Sequence, residues 1–332
     1  MTAALAINGF GRIGRSVLRA AYEGERTDVK IIALNDLAPI GTLAHLLKYD
    51  SVHGRFPGTV EEHADGLIVN GDLIRVTEMT DPAALPWSDV DVVCEATGVF
   101  RTFEKAEQIR RSGASKVLIS APGKNVDKTI VYGVNHDTLD GKDMIVSNAS
   151  CTTNCLAPLA KVLDDSFGIE TGYMTTVHAY TSDQPSHDRP HEDLYRGRAA
   201  SLSMVPTSTG AASAISLVLP HLEGRLAGSA IRVPTPNVSL VDLCIMPKTK
   251  VDRDAVNNAL QAAAEGPMAG VLDVTEDLCV SIDFNHCAAS STVALPETAV
   301  TKGGMIRVVS WYDNEWGFSN RMLDTAALMA SL

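Results

Sequence analysis

Residues Leu5–Gly14 have the sequence LAINGFGRIG, in which an apolar strand-like run leads into three glycines spaced as GxGxxG. Glycines alone often mark only turns. Here they follow a strand, open a helix-like run, and lie 22 positions before an acidic residue, counted from Gly14 to Asp36. This combination predicts a dinucleotide-binding βαβ unit. In such a unit Gly9 permits the tight turn and Gly11 lets the backbone approach a pyrophosphate, while Gly14 allows close helix–strand packing.

The acidic residue also predicts the kind of dinucleotide. A carboxylate at Asp36 accepts hydrogen bonds from the adenosine ribose hydroxyls and repels a 2′-phosphate. We therefore expect NAD as the cofactor rather than NADP. The N-terminus of the helix that follows Gly11 would supply backbone donors and positive potential for the pyrophosphate.

Beyond this unit, the first half of the chain alternates short β-branched runs with helical ones, which predicts a mostly parallel sheet. Asn70-Gly71, between two apolar runs, predicts a β-hairpin. Later strands are longer, with Ser281–Phe284 predicted among them, and indicate an antiparallel or mixed sheet. The 332 residues exceed the usual limit of a single core. We predict an α/β protein with a Rossmann-type dinucleotide-binding domain (residues 1–150, with a C-terminal helix 315–332 packing back on it) and an α+β catalytic domain (residues 151–314).

Composition limits the classes of function. The formal net charge is −12, which argues against a basic nucleic-acid surface and against binding to a membrane surface. No apolar run is long enough to cross a bilayer, and the N-terminus enters a strand without a basic leader. The six cysteines show neither a CxxC pair nor metal-type spacing, which predicts free thiols and no metal site. We expect a cytoplasmic protein.

A second informative segment is Ser147–Cys155, SNASCTTNC, which ends a strand-like run and opens a helix. Three good N-cap residues precede Cys151, so its side chain should lie in the first helical turn. There the unpaired backbone N–H groups and the helix dipole favour a thiolate, which predicts a depressed pKa and a nucleophile. A buried structural cysteine is the other interpretation of Cys151. For Cys155, one turn later, packing is the preferred interpretation.

Both segments, together with WYDNEWG at Trp311–Gly317, resemble the signature sequences of the phosphorylating glyceraldehyde-3-phosphate dehydrogenases, and the resemblance covers essentially the whole chain. Spacing alone leaves His178 open between a satisfied polar group at a strand end and a catalytic base. The resemblance of TVHAYT, Thr176–Thr181, implies that His178 pairs with Cys151. It further implies oxidation of glyceraldehyde 3-phosphate with NAD⁺ and inorganic phosphate to 1,3-bisphosphoglycerate, through a thioester on Cys151.

The same resemblance implies two sets of binding residues. Those for the dinucleotide are Gly9, Phe10, Gly11, Arg12, Ile13, Gly14, Asp36, Thr97, Gly98, Ser120 and, at the nicotinamide carboxamide, Asn314. Those for the substrate phosphate are Thr181, Asp183 and Arg232, and those for the attacking phosphate are Ser150, Thr209, Gly210 and Arg196, with Thr152 beside them. Hydroxyls at a helix start and guanidinium groups suit phosphate, although an arginine taken singly is more often a solvated surface charge.

The family resemblance also implies a homotetramer, with the polar loop 181–209 near subunit contacts. Arg189 in this loop departs from the apolar residue that family members often carry. That position is expected near the adenosine end of a neighbouring subunit's cofactor, where a cation would soften the penalty against NADP.

The nearest alternative is the erythrose-4-phosphate dehydrogenase branch of the family, which releases its thioester to water. Segments 283–286 and 318–325 are similar to that branch. The threonine-rich loop Pro206–Gly210 and Thr181, which that branch tends to lose, are present here. We therefore favour the phosphorylating enzyme.

Two further alternatives are less well supported. A semialdehyde dehydrogenase would also pair a Rossmann domain with a cysteine and a histidine, but the intact block around Asn314 argues against it. A catalytically idle dinucleotide-binding or scaffold protein would be expected to have lost Cys151 or His178, and both are present.

Overall fold

A nine-stranded sheet builds the first of the two units into which the chain divides. The computed structural model describes residues 2–332, and this unit comprises the residues up to Ser150 together with Ser319–Leu332. Its helices are α1 (Arg12–Glu23), α2 (Ile40–Lys48) and α3 (Phe103–Arg110). Its strands are β1 (Ala3–Asn8), β2 (Val29–Asn35), β3 (Tyr49–Asp50), β4 (Gly54–Arg55), β5 (Val60–His63), β6 (Gly66–Val69), β7 (Asp72–Thr77), β8 (Val92–Glu95), β9 (Lys116–Ile119), β10 (Lys128–Thr129) and β11 (Ile145–Ser147).

The strand order in this sheet is β10-β11-β9-β8-β1-β2-β7-β6-β5. From β10 to β7 all neighbours are parallel, as predicted, and β5 and β6 add an antiparallel edge. Every residue of β8 and β9 is buried, as expected for a parallel sheet covered on both faces. After β1 the chain continues to β2 on one side and later returns to β8 on the other. A crevice therefore opens at the carboxyl ends of these three strands.

The predicted hairpin is confirmed at Asn70 and Gly71, which join β6 to β7. Both residues have positive φ, 49° and 91°, as a two-residue type I′ turn requires. Val69 then pairs with Asp72, so the turn sets the register of the whole edge.

An eight-stranded sheet builds the second unit, Cys151–Phe318. Its helices are α4 (Cys151–Phe167), α5 (Ala211–Val218) and α6 (Arg253–Glu265), and the last helix, α7 (Trp316–Ser331), begins here and continues into the first unit. The strands are β12 (Ile169–Ala179), β13 (Val205–Thr207), β14 (Leu226–Val233), β15 (Ser239–Pro247), β16 (Leu272–Thr275), β17 (Ser291–Ala294), β18 (Ala299–Val300) and β19 (Ile306–Tyr312).

The order of the second sheet is β13-β14-β12-β15-β19-β17-β16, with β18 beside β19. Only the pairs β12–β14 and β16–β17 are parallel. Alternate residues of β15 are buried, and α4 packs against this strand. The predicted mixed sheet is confirmed, and so is the placement of Cys151, which is the first residue of α4.

One prediction in this unit was wrong, and some short strands were missed. Ser281–Phe284 forms a 3₁₀ turn rather than a strand, because the Asp283 carboxylate accepts from the Val280 amide at 2.8 Å and closes the segment on itself. The short strands β13, β16 and β18 were not predicted, because runs of two to four residues are too short to establish a period. Elsewhere the predicted strands and helices are present, with ends that differ by a few residues. Within residues 2–332, no helix has the length and apolar character needed to cross a membrane.

Leu243 tests the contribution of β15 to the second core. It is fully buried, between β12 and β19. Leu243→Ala should lower the free energy of unfolding of this unit by about 2–5 kcal/mol, because it removes buried methyl groups and leaves a cavity. Chemical denaturation would measure the change, and a loss below about 1 kcal/mol would contradict this account of the core.

Candidate active site

A cavity of about 450 Å³ lies at the crevice edge of the first sheet. Its walls come from the ends of β1, β2 and β8 and from the segment after β7. The lining residues are Asn8, Gly9, Gly11, Asn35, Asp36, Leu37, Met79, Thr80, Pro82, Ala96, Thr97, Val99 and Phe100. Four residues predicted to bind the dinucleotide, Gly9, Gly11, Asp36 and Thr97, are therefore brought together.

The glycine turn has the geometry that its spacing predicted. Gly9 has φ 90°, and a Cβ there would lie 2.7 Å from the Thr97 amide nitrogen. A Cβ at Gly14 would lie 2.1 Å from the Gly9 carbonyl oxygen, so helix and turn touch at this point. A Cβ at Gly11, by contrast, would meet no atom within 4 Å. Its backbone is therefore open to the cavity at the start of α1.

Asp36 is held in place by backbone donors. One carboxylate oxygen accepts from the Phe10 amide at 2.7 Å, and the other accepts from the Ala38 amide at 2.9 Å. The acidic residue after β2 is thus attached directly to the glycine turn after β1. The hydrogen bond from the Phe10 amide to the Asp36 carboxylate thus connects the glycine turn with the acidic residue of the predicted motif.

The remaining residues of the first unit that were predicted to bind the dinucleotide are not among those that line this cavity. Arg12 forms an ion pair with Asp50, and Ile13 follows it in the first turn of α1. Gly98 adopts φ 74° between two lining residues. Ser120 follows β9, and its amide donates to the Glu95 carbonyl oxygen at 2.9 Å.

In the second unit, the Cys151 sulfur lies 3.5 Å from His178 Nε2. Cys151 opens α4, and His178 is the penultimate residue of β12. The Tyr312 hydroxyl lies 2.9 Å from both Thr152 Oγ1 and Thr176 Oγ1, and so joins the first turn of α4 to β12. The sequence-predicted pairing of Cys151 and His178 is therefore present in the geometry.

Arg232 lies beside His178 because the two residues are register partners in the parallel pair β12–β14. Its Nη1 lies 2.8 Å from His178 Nδ1 and donates to the Ala179 carbonyl oxygen at 3.1 Å. Burial, together with the Arg232 cation, lowers the pKa of His178 to about 3. The imidazole is consequently neutral at physiological pH.

The thiol of Cys151 differs from its prediction. Residue Cys151 is partly exposed, but its sulfur lies among protein atoms, and this burial raises the pKa of the thiol. Arg232 and hydrogen bonds in the first turn lower the pKa without cancelling the effect of burial. The expected depression of the pKa was therefore wrong, because desolvation outweighs the Arg232 cation and the hydrogen bonds of the first helical turn. For Cys155, burial raises the pKa to about 12, which fits a packing residue.

The contacts of His178 Nδ1 decide which ring nitrogen carries the proton. Nδ1 lies 2.7 Å from the Ala179 carbonyl oxygen as well as 2.8 Å from Arg232 Nη1, and it cannot donate to one and accept from the other at once. If Nδ1 is protonated, the N–H groups of His178 Nδ1 and Arg232 Nη1 can both donate to the Ala179 oxygen. In that arrangement Nε2 carries the lone pair and faces the Cys151 thiol as a base.

The residues predicted to bind phosphate lie partly in this group. Arg196 donates from Nη1 to the Asp183 carboxylate at 2.9 Å, and its charge also acts on His178 and Arg232. Thr209 Oγ1 accepts from the Ala211 amide at 3.2 Å, next to Gly210 at the start of α5. Thr181 follows β12 and closes a turn by accepting from the Gln184 amide at 2.9 Å.

Three other residues named in the sequence analysis, Asn314, Ser150 and Arg189, lie in different segments of the chain. Asn314 accepts from Ser239 Oγ at 2.9 Å in the second unit, whereas Ser150 is the last residue before α4. Arg189, the residue that bears on NADP, donates its amide to the Gly197 carbonyl at 2.9 Å inside the 181–209 loop.

Sequence comparison matches both units to one family. Residues 3–103 match the model of the glyceraldehyde 3-phosphate dehydrogenase NAD binding domain, and residues 150–314 match that of the C-terminal domain of the same enzyme. The chain is 57% identical to the glyceraldehyde-3-phosphate dehydrogenase of Cereibacter sphaeroides over 332 residues, the full length of both. It is 55% identical to that of Xanthobacter flavus over the full length of both chains. It is 54% identical to that of Geobacillus stearothermophilus, covering all of this chain and 99% of the relative.

The chain belongs to the glyceraldehyde-3-phosphate dehydrogenase family. Its first unit contains the family's NAD-binding domain, which confirms the predicted cofactor. The cavity fits this ligand, since the Gly11 backbone is open to it and no side chain among the described residues caps the start of α1. Asp36 lines the cavity after β2, where an NAD site is expected to carry an acidic ribose acceptor.

Several cavity residues were missed at the sequence level. Met79, Thr80 and Pro82 follow β7, and only the strand order places that segment beside β2. Asn8 and Asn35 also line the cavity and directly precede Gly9 and Asp36, but the sequence motif assigns no role to either position.

Gly11 and Gly14 form a matched pair for testing the cavity. Gly11→Ala should leave the fold intact but weaken NAD binding about tenfold, because the new methyl group occupies space next to the helix N-terminus. Gly14→Ala should instead destabilise the first unit, since its Cβ overlaps the Gly9 oxygen. Calorimetric titration with NAD and thermal unfolding separate these effects, and unchanged NAD affinity in folded Gly11→Ala would contradict the assignment.

Alkylation of Cys151 tests its pairing with His178. The rate with iodoacetamide should rise with pH through a midpoint above the ordinary thiol range of about 8.5, because burial raises this pKa. His178→Asn should slow alkylation about tenfold at neutral pH by removing the proton acceptor. Cys155 is the internal control, because it should remain unmodified while the protein is folded. An unchanged rate in His178→Asn would exclude an activated pair.

Proposed function

We propose that this protein oxidises glyceraldehyde 3-phosphate, using NAD⁺ and inorganic phosphate, and forms 1,3-bisphosphoglycerate. The observation that carries the proposal is the 3.5 Å contact between Cys151 Sγ and His178 Nε2, in a chain whose other unit contains the NAD-binding domain. The full-length relatives named glyceraldehyde-3-phosphate dehydrogenase support it.

In the first half-reaction, Cys151 is the nucleophile. Its sulfur forms a bond to the aldehyde carbon as the carbon–oxygen π bond breaks, and the thiol proton passes by way of His178 to the carbonyl oxygen, which gives a thiohemiacetal. The neutral His178 Nε2 is oriented to take that hydroxyl proton as the carbon is oxidised. When bound, NAD⁺ supplies the hydride acceptor for this oxidation. The Cys151 backbone N–H at the start of α4 and His178 stabilise charge on the oxygen.

In the second half-reaction, the resulting thioester is the electrophile. A phosphate oxygen attacks the acyl carbon, the carbon–sulfur bond breaks, and Cys151 leaves as a thiolate. The nearby Arg232 cation stabilises that leaving group, as its lowering effect on the pKa of Cys151 indicates. The thioester therefore conserves the oxidation energy in an acyl phosphate.

We assign the substrate phosphate to Thr181, Asp183 and Arg232, and the attacking phosphate to Ser150, Thr152, Arg196, Thr209 and Gly210. Two arginines that act on His178, Arg196 and Arg232, support an anion site in a chain of net charge −12. The 2.9 Å ion pair of Arg196 with Asp183 connects the two assigned sets, so phosphate binding has to redistribute this contact.

We also propose a homotetramer in the cytoplasm. Large apolar residues of the loop 181–209 support assembly, since Leu194 is 85%, Leu202 79% and Met204 74% exposed. In this proposal residues 1–150 with the last helix bind NAD, and residues 151–314 carry out catalysis.

Dependence on inorganic phosphate tests the function. With glyceraldehyde 3-phosphate, omission of phosphate should slow steady NADH formation about tenfold or more, because the thioester is then released only by slow hydrolysis. Cys151→Ser should form no NADH under either condition while retaining NAD binding. Phosphate-independent turnover, with erythrose 4-phosphate as the better substrate, would instead establish the hydrolytic branch of the family.

A further inference from the structure

Glu95 is a buried carboxylate that the proposed chemistry does not use. It ends β8, it is 1% exposed, and no cationic side chain of the described residues forms an ion pair with it. Burial raises its pKa to about 7, against the lowering effect of its hydrogen bonds. An uncompensated carboxylate is costly at such a position. Its hydrogen-bond partners therefore require an explanation.

Both oxygens of Glu95 act as acceptors. Oε2 accepts from Asn8 Nδ2 at 2.6 Å, and Oε1 accepts from the Thr97 amide at 2.8 Å and from the Thr97 hydroxyl. Thr97 lines the cavity and Asn8 lines it from the neighbouring strand. Glu95 thus binds two residues that line the NAD cavity, although it does not line the cavity itself.

The hydrogen bonds continue through Asn8 in a fixed direction. Because Asn8 Nδ2 is engaged by Glu95, its Oδ1 faces Asn35, whose Nδ2 donates to it at 3.0 Å. The orientation of Asn35 is fixed again at its far side, where Oδ1 accepts from the Met79 amide at 2.9 Å and Nδ2 donates to the Met79 carbonyl at 3.0 Å. From the Met79 amide through Asn35 and Asn8, each group donates one hydrogen bond toward Glu95, and the carboxylate is the terminal acceptor of this series.

We propose that Glu95 is a positioning residue for NAD binding, because as a terminal acceptor it fixes the orientations of Asn8 and Asn35 and thereby the walls of the adenosine side of the cavity. The segments attached to this series are the glycine turn after β1, Asp36 after β2, the Met79 segment after β7 and Thr97 after β8. The inference rests on the NAD assignment of this unit and not on the aldehyde chemistry.

An amide at position 95 cannot replace the carboxylate. In either orientation, the NH₂ group of Glu95→Gln faces a donor, which is Asn8 Nδ2 on one side and the Thr97 amide on the other. Asn8 cannot rotate in compensation without turning a donor toward Asn35. Glu95→Gln should therefore weaken binding of NAD⁺ and of ADP-ribose about tenfold, while kcat at saturating NAD⁺ changes little.

Exchanging the polarity should restore binding. In the double variant Asn8→Asp with Glu95→Gln, the carboxylate at position 8 accepts from Asn35 and from the new amide, whose oxygen still accepts from Thr97. Affinity for ADP-ribose should return to within about threefold of the wild type, whereas Asn8→Asp alone places two carboxylates together and binds poorly. A purely structural role for Glu95 predicts no such rescue.

Thr77→Val is the matched control. It removes the 2.9 Å bond from Thr77 Oγ1 to Asn35 Oδ1, but the Met79 amide still fixes Asn35, so ADP-ribose affinity should remain unchanged. Titration calorimetry of the full chain gives all values, in buffer well above the pKa of Glu95. Wild-type affinity in Glu95→Gln, or a double variant that is unfolded or binds no better than Glu95→Gln, would overturn the proposal. Absence of NAD binding by the wild type would instead overturn the proposed function.

Discussion

The hydroxyl of Tyr312 connects the helix that carries the nucleophile with the strand that carries the base. Thr176 Oγ1 donates to the Leu240 carbonyl at 3.0 Å, so it must accept its hydrogen bond from Tyr312. Tyr312 in turn accepts from Thr152, one residue after Cys151. Three hydroxyls therefore form a single directed series. Because the distance between Cys151 and His178 depends on how α4 meets β12, the chemistry of the second unit depends on this series.

The charge states of Cys151 and His178 depend on the strand register that places a cation beside them, more than on the net charge of the chain. The chain is acidic, yet the parallel pairing of β12 with β14 places Arg232 opposite His178. The cation keeps the imidazole neutral and lowers the pKa of the nearby thiol, while burial raises that pKa. Both groups are therefore uncharged in the ligand-free protein. An anion that neutralises Arg232, such as a substrate phosphate, reduces the effect of this cation on the pKa values of His178 and Cys151.

How far the sequence predicted the molecule depended on whether the relevant contacts are local. Gly9, Gly14 and Asp36 were identifiable because strand, turn and helix follow one another along the chain, and the family resemblance extended the prediction to His178. Ser281–Phe284 is the exception, because the contact that closes its turn is local, with the Asp283 carboxylate three residues from its partner amide, and it was still assigned wrongly. The pKa of Cys151 was predicted with the wrong sign, since the helix dipole is apparent from sequence whereas desolvation arises from distant segments. Glu95 was missed for the same reason.

The first unit is discontinuous in sequence, since Ser319–Leu332 completes it after the whole second unit. Lys116 Nζ donates to the Met329 carbonyl at 2.7 Å, Arg26 pairs with Asp324, and Thr325 donates to Asn148. During synthesis on the ribosome, these contacts form only when translation reaches the last residues. The first unit is therefore incomplete while the whole second unit is translated. Nascent chains of this protein are accordingly expected to need protection from aggregation until residues 319–332 have been made.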